Sequence, residues 1–233
     1  MKYMGSKNRI AKDILQFTQA GRMYGQWYIE PFVGGGNMID KVVGHCKGFD
    51  NNEYVIEALK LIRDNPESLP KNNQEITVHD YRHIRDNKTE YDKGYVGYVG
   101  CALSYGGRWF EGWCRDGAQK RDYVAEAYRN AVKQSPKLQN IFFVFESYKD
   151  IRIPDNSIVY CDPPYKGAKK YKTGFDHIEF WEWCRKISFE GHRVFISEYE
   201  APDDFRCVWQ KEQFSSLTQN TGSKKMTERL FAI

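Results

Sequence analysis

Asp162-Pro163-Pro164-Tyr165 carries the most specific chemistry in the chain. It follows SIVYC (157–161), an apolar run that reads as a buried strand. Neither proline has an N–H, so the segment offers mainly acceptors: the Asp162 carboxylate and backbone carbonyls. Such a set suits an NH2 group with two donors to place. The exocyclic amine of an aromatic base is a poor nucleophile, because its lone pair is delocalised into the ring. Two acceptors holding its hydrogens favour a pyramidal nitrogen and free the lone pair for attack on a methyl group. Tyr165 adds a ring face on which a base can stack. Positioning and electrostatics then supply the rate, with no covalent intermediate and no metal. The plainer alternative is a proline-rich turn that Asp162 begins.

A second chemical stretch, Glu30-Pro31-Phe32-Val33-Gly34-Gly35-Gly36, ends the short strand Trp27-Tyr28-Ile29. Open α/β sheets bind ligands beyond the carboxyl ends of their strands, and glycines there let the backbone approach a ligand closely. Asp50 lies at the end of a second strand, His45 to Phe49, where an acid can accept from both ribose hydroxyls of a nucleoside. The loop is not the dinucleotide G-x-G-x-x-G. It has an acid and an aromatic where a phosphate loop has lysine, which suits a cationic, phosphate-free ligand such as a sulfonium amino acid joined to adenosine. A nicotinamide dehydrogenase is thereby discounted. The alternatives are a tight turn for the glycines and a solvated strand end for Asp50.

These residues need a scaffold, and the pattern supplies one. Residues 7–19 and 53–63 space their apolar positions as helices, and Met38 to Val43 reads as a shorter one. Strands return at 141–145, 157–161, 192–197, 205–210 and 228–233, with a helix at about 177–189. Strands alternating with helices predict an α/β fold with a mostly parallel sheet covered on both faces. Residues 64–140 break the pattern: polar, glycine-dotted and aromatic, with helices near 79–86 and 121–134. The expected division is a catalytic domain of 1–63 and 141–233 with an insertion at 64–140.

Composition bounds the rest. The 233 residues carry a net charge of +4, compatible with nucleic acid without demanding it. The six cysteines form no C-x-x-C pair and read as reduced thiols. His79 and His83 stand four apart without a third ligand nearby in sequence, so no metal site is expected. No run is apolar enough to span a bilayer, and the N-terminus lacks the apolar core of a signal peptide, so a cytoplasmic location is expected.

With these residues in hand, the sequence closely resembles the Dam-type (D12 class) DNA adenine-N6 methyltransferases. Lys2-Tyr3-Met4-Gly5-Ser6-Lys7 is similar to the family's Lys-Trp-Ala-Gly-Gly-Lys element, with Tyr for Trp and Ser for the second Gly. Glu30 to Gly36 resembles its cofactor loop, Asp50 its ribose acid, Asp162 to Tyr165 its catalytic tetrapeptide, and Thr227-Glu228-Arg229-Leu230 its last strand. The resemblance implies a Rossmann-like S-adenosylmethionine-dependent methyltransferase sheet with a helical target-recognition insertion. It implies S-adenosyl-L-methionine as cofactor and S-adenosyl-L-homocysteine as product. Tyr3, Lys7, Glu30, Phe32, Gly34, Gly36 and Asp50 would line the cofactor pocket, with Ser147 and Tyr148 near its adenine and Asp162 near its methionine portion.

The implied partner is double-stranded DNA, bound by a monomer or weak dimer with no membrane. Adenine N6 is paired inside a duplex, so the base must be rotated out at a cost of a few kcal/mol. Lys166, Lys169, Lys170 and Lys172 follow the tetrapeptide and would flank that nucleotide's backbone, or else form a solvated basic loop. Arg108 and Arg115 suit guanine contacts, and Trp109 a wedge in the base stack. Equally, Trp109, Phe110 and Trp113 suit a small core, and Arg115 an ion pair with Glu111 or Asp116. The competing functions are a cytosine-N4 or RNA amino methyltransferase and a non-catalytic DNA-binding descendant of the fold.

Overall fold

The computed structural model describes residues 1–117, 120–166, 174–215 and 224–233. In chain order the elements are α1 (Ala11–Thr18), β1 (Tyr28–Glu30), β2 (Cys46–Asp50), α2 (Glu53–Asp64), α3 (Val78–Asp86), α4 (Lys93–Ala102), α5 (Tyr123–Leu138), β3 (Ile141–Phe145), β4 (Ile158–Cys161), α6 (His177–Phe189), β5 (Arg193–Glu198), β6 (Arg206–Ser215) and β7 (Lys224–Ala232). The strands form one sheet in the order β3-β2-β1-β4-β5-β7-β6. The first five are parallel; β7 runs antiparallel between β5 and β6. The chain winds outward from β1 through β2 to β3, then returns to β4 on the other side of β1. That reversal is the switch point at which a Rossmann-like sheet opens a crevice.

Side chains alternate between the faces, as strand geometry requires. Tyr28, Cys46, Ile158, Tyr160 and Phe195 join one core with α1, α2, α4 and α5. Ile29, Phe49, Val159, Cys161 and Ile196 join a second with α6. Each fully buried aliphatic or aromatic side chain contributes about 1.5–3 kcal/mol, so both layers hold the strand ends firmly. Among the described residues no helix is long and apolar enough to cross a membrane. All six cysteines are free, and only Cys207 is exposed.

Most predicted elements are present, with instructive differences. The expected helix over 7–19 divides into a 3-10 turn, Lys7–Arg9, and α1; Met38 to Val43 contains only the 3-10 turn Ile39–Lys41. The hairpin β6–β7 is longer than its apolar patches. In the block 64–140, α5 runs four residues beyond its expected end, through Pro136. The pattern left α4 out altogether, because its Gly94, Gly97 and Gly100 read as a loop. They are a packing stripe instead: a Cβ at Gly97 would stand 1.9 Å from the Tyr54 carbonyl oxygen of α2. α4 therefore lies directly on α2, and Val96, Tyr98 and Val99 join the same core as the sheet.

Candidate active site

The tetrapeptide begins where β4 ends. Alternation puts Tyr160, and after it Asp162, toward the face that carries α1 and the N-terminal segment. Ser6 caps the turn Lys7–Arg9 by accepting from the Asn8 N–H. That turn delivers Lys7, only 7% exposed, to the strand end. Its Nζ lies 3.1 Å from Asp162 Oδ1 and 3.8 Å from Glu228 Oε2 of β7. It also stands over the Tyr165 ring, 4.5 Å from the centroid. The Tyr165 hydroxyl donates to Glu228 Oε2 at 2.9 Å. Three groups, Asp162, Tyr165 and Glu228, thus surround one ammonium, and with Lys7 they come from three separate parts of the chain.

Their charges follow from that geometry. Burial works against a charged Lys7, but Asp162 and Glu228 outweigh it and hold the proton more firmly than usual. Burial lifts the Asp162 carboxyl above its ordinary range, against the pull of Lys7. Glu198, at the end of β5, accepts from the Lys166 N–H at 3.2 Å and the Tyr199 N–H at 2.8 Å. Burial pushes it up to about 7 despite those two donors. The turn leaving the tetrapeptide is therefore tied to β5, and Tyr199 packs edge-to-face on Tyr165 with centroids 4.6 Å apart.

The neighbouring crevice lies at the ends of β1 and β2. Asp50 Oδ2 accepts from the Gly34 N–H at 3.0 Å and its Oδ1 from the Asn52 N–H at 2.9 Å. Burial still raises its carboxyl to about 6. Glu30 is 2% exposed, and among the described residues its Oε1 has no hydrogen-bond partner. Burial raises its carboxyl well above the usual range. Gly34 has φ +48°, and a Cβ there would meet the Tyr3 ring at 2.8 Å. The close approach that this glycine permits is that of the chain's own N-terminal segment. Gln134 of α5 clamps the same loop from beneath, donating to the Gly35 and Gly36 carbonyls at 3.1 and 3.2 Å.

The N-terminal segment bridges three parts of the site. Tyr3 covers Gly34, Met4 N–H donates to the Gly107 carbonyl at 3.0 Å, and Lys7 reaches Asp162. Lys7, expected to line the cofactor pocket, stands against Asp162 and Tyr165. Phe32 and Tyr148 pack together, centroids 5.3 Å apart, in an aromatic cluster with Phe175 and Phe180 beside α6. Ser147 follows β3, where the Glu146 N–H donates to the Asp50 carbonyl at 3.1 Å. Arg108 lies 3.7 Å from Glu111. Trp109 packs on Tyr54 of α2 and on Phe110, the core arrangement that the sequence allowed. Arg115 and Lys166 are exposed. Lys169, Lys170 and Lys172 lie outside the described residues.

A family model described as "D12 class N6 adenine-specific DNA methyltransferase" matches residues 3–97 and 116–221. The chain belongs to this D12 class family. The DNA adenine methylases of Escherichia coli strain K12 and of E. coli O157:H7 are each 27% identical to it over 189 residues, which is 71% of this chain and 64% of each relative. The chain thus spans less than two thirds of the length of these relatives. Among solved structures, a tRNA (m1A58) methyltransferase from Aquifex aeolicus aligns at 9% identity and TM-score 0.42, over 95% of this chain and 67% of that one. An rRNA methylase from Streptococcus thermophilus aligns at 10% identity and TM-score 0.39, over 99% and 98%.

In this D12 class chain, Glu228 and Glu198 take part in the site although sequence reasoning gave them no role. Glu228 sat within a stretch that marked only a strand. Glu198 follows the apolar run at 192–197 as Asp50 and Asp162 follow theirs, and that shared position was the signal. Gln134 had none, since a polar residue on a helix reads as solvent-facing.

Proposed function

We propose that this chain transfers a methyl group from S-adenosylmethionine to N6 of an adenine in double-stranded DNA, acting on a base rotated out of the helix. The observation that carries the reading is the ring of Asp162, Lys7, Glu228 and Tyr165 at the end of β4, one strand from the crevice holding Asp50. Family membership supports the reaction class, and the residues fit the cofactor. Glu30, a buried carboxyl whose Oε1 has no hydrogen-bond partner among the described residues, and a ribose-type acid, Asp50, sit at the strand ends where a nucleoside ligand would need acceptors. Glu30, Asp50, Phe32 and the Gly34 loop would hold that molecule, with Ser147 and Tyr148 at its adenine. When bound, it supplies the methyl group as an electrophile.

The chain's own residues act on the base. The Asp162 carboxylate, together with a carbonyl of the Asp162-Pro163-Pro164 backbone, accepts both hydrogens of the amine and directs its lone pair. Lys7 opposes the burial that favours protonation of Asp162, and so supports its role as an acceptor. Tyr165 stacks the base on the ring face away from Lys7. Residues 64–140 serve as the recognition region, with Arg108 and Arg115 as base or phosphate contacts. Lys166, which is exposed, contacts the displaced nucleotide's backbone. Residues 98–115, outside the family match, hold Arg108, Trp109 and Arg115, as expected where members of a family read different sequences.

The test is nucleoside analysis of unmethylated duplex DNA after incubation with the protein and labelled S-adenosylmethionine. N6-methyladenine is expected. N4-methylcytosine would overturn the choice of base, and label appearing only in RNA would overturn the choice of DNA.

A further inference from the structure

The hairpin β6–β7 gives Glu228 its position. In β7 it lies two residues before Leu230, which is fully buried in the core shared with Tyr160. Alternation therefore turns Glu228 toward the same face, and its side chain is 16% exposed. The shorter of its two contacts is with the Tyr165 hydroxyl, at 2.9 Å, against 3.8 Å to Lys7. Lys7 already has a closer partner in Asp162.

A second carboxylate in this place is costly. It is poorly hydrated and shares one ammonium with Asp162, so the two negative charges repel. A neutral acceptor would hold the phenol at a lower cost. The carboxylate gives something that the neutral group does not: a charge-assisted hydrogen bond, shorter and stronger than a neutral one, that fixes the Tyr165 ring. It also draws part of the Lys7 ammonium toward itself. Without it, Lys7 would have only Asp162 and the Gly5 carbonyl as acceptors among the described residues, and would compete more strongly with any other donor for that carboxylate.

We propose that Glu228 is a positioning residue for methyl transfer: it holds the Tyr165 hydroxyl and shares the Lys7 ammonium. In this way it fixes the ring on which the base stacks and leaves Asp162 lone pairs free for the amine. This rests on the reading of Asp162 and Tyr165 given under Proposed function.

The experiment is steady-state transfer to unmethylated duplex DNA by the unmutated protein and by Glu228→Ala, Glu228→Gln, Tyr165→Phe and the double variant Glu228→Ala/Tyr165→Phe. Melting temperature is recorded for each. Glu228→Ala should lower kcat roughly tenfold or more, with KM for the cofactor unchanged. Glu228→Gln keeps an acceptor for the phenol and should recover part of that loss. Tyr165→Phe should lower kcat by less, and should cost nothing further once Glu228 is alanine, because the hydroxyl acts through that carboxylate. An additive double variant, a loss confined to KM, or equal losses in Ala and Gln that track melting temperature would overturn the proposal alone. Absence of transfer by the unmutated protein would overturn the reading of the site, and this inference with it.

Discussion

The two ends of the site balance their charge in opposite ways. At β4 and β7, one buried ammonium serves two carboxylates, and every member of the ring has a partner. At β1 and β2, among the described residues, Asp50 is held only by backbone N–H groups, and Glu30 keeps an unpartnered oxygen. The first end is complete without a ligand and therefore preorganised. Charge developing on an amine would meet dipoles and ions already in place, which is where electrostatic catalysis is strongest. The second end leaves an acceptor to spare: Glu30 Oε1 has no partner among the described residues. Under the proposed function, this end is completed by a ligand that brings donors and positive charge.

Four predictions can break or sharpen that contrast. The largest effect should come from Asp162→Ala, which removes the acceptor at the preorganised end. Transfer should fall by roughly 10^3-fold, the scale of losing one preorganised polar group, while S-adenosylhomocysteine still raises the melting temperature. Next is Lys7→Met. It leaves two part-buried carboxylates without their cation, and breaking such a pair costs about 3 kcal/mol. A denaturant titration checks it; an unchanged midpoint would show that the ring is not held by Lys7.

The third prediction concerns pH. Asp50 ionises near 6 in the folded protein, above its ordinary 3.8, because burial disfavours the charge. The folded state then holds the proton longer than the unfolded chain does. The resulting stability is full below the ordinary value and lost as pH rises to about 6. Ligand binding should run the other way, since the ionised form accepts ribose hydroxyls. Affinity for S-adenosylhomocysteine should be roughly tenfold weaker one pH unit below that ionisation than well above it. Asp50→Asn should flatten the dependence, as calorimetry at several pH values would show. The smallest effect is expected for Glu30→Gln. Its carboxyl is raised well above the usual range, so the neutral amide is a close mimic and should change stability by less than about 1 kcal/mol. Cofactor affinity should fall several-fold; a large loss of stability would mean an internal partner for Glu30.

The same contrast governs what was legible beforehand. Residues at strand ends could be read, because an apolar run followed by an acid marks both the strand and the direction of its carboxyl end. Asp50 and Asp162 were placed in this way, and with them the parallel α/β sheet. Contacts between distant segments could not be read. Nothing local to Lys7 says that it will meet Asp162, and nothing local to Glu228 says that it will meet Tyr165. Helix α4 was hidden for a related reason: its glycines lower helix propensity, and only distant neighbours explain them, the backbone of α2 for Gly94 and Gly97 and the Trp109 and Phe110 rings for Gly100. Trp109 was ambiguous because an aromatic beside glycine and arginine suits both a DNA wedge and a small core.

The central claim is that the two ends divide the work, one holding the cofactor and the other directing the amine. The most direct test is single-turnover methyl transfer to duplex DNA by Asp50→Ala and Asp162→Ala, with S-adenosylmethionine raised from micromolar to millimolar levels. The account predicts that Asp50→Ala regains most of its rate as the cofactor is raised, while Asp162→Ala stays near background throughout. Recovery of Asp162→Ala, or an Asp50→Ala rate that stays low at every concentration, would contradict it.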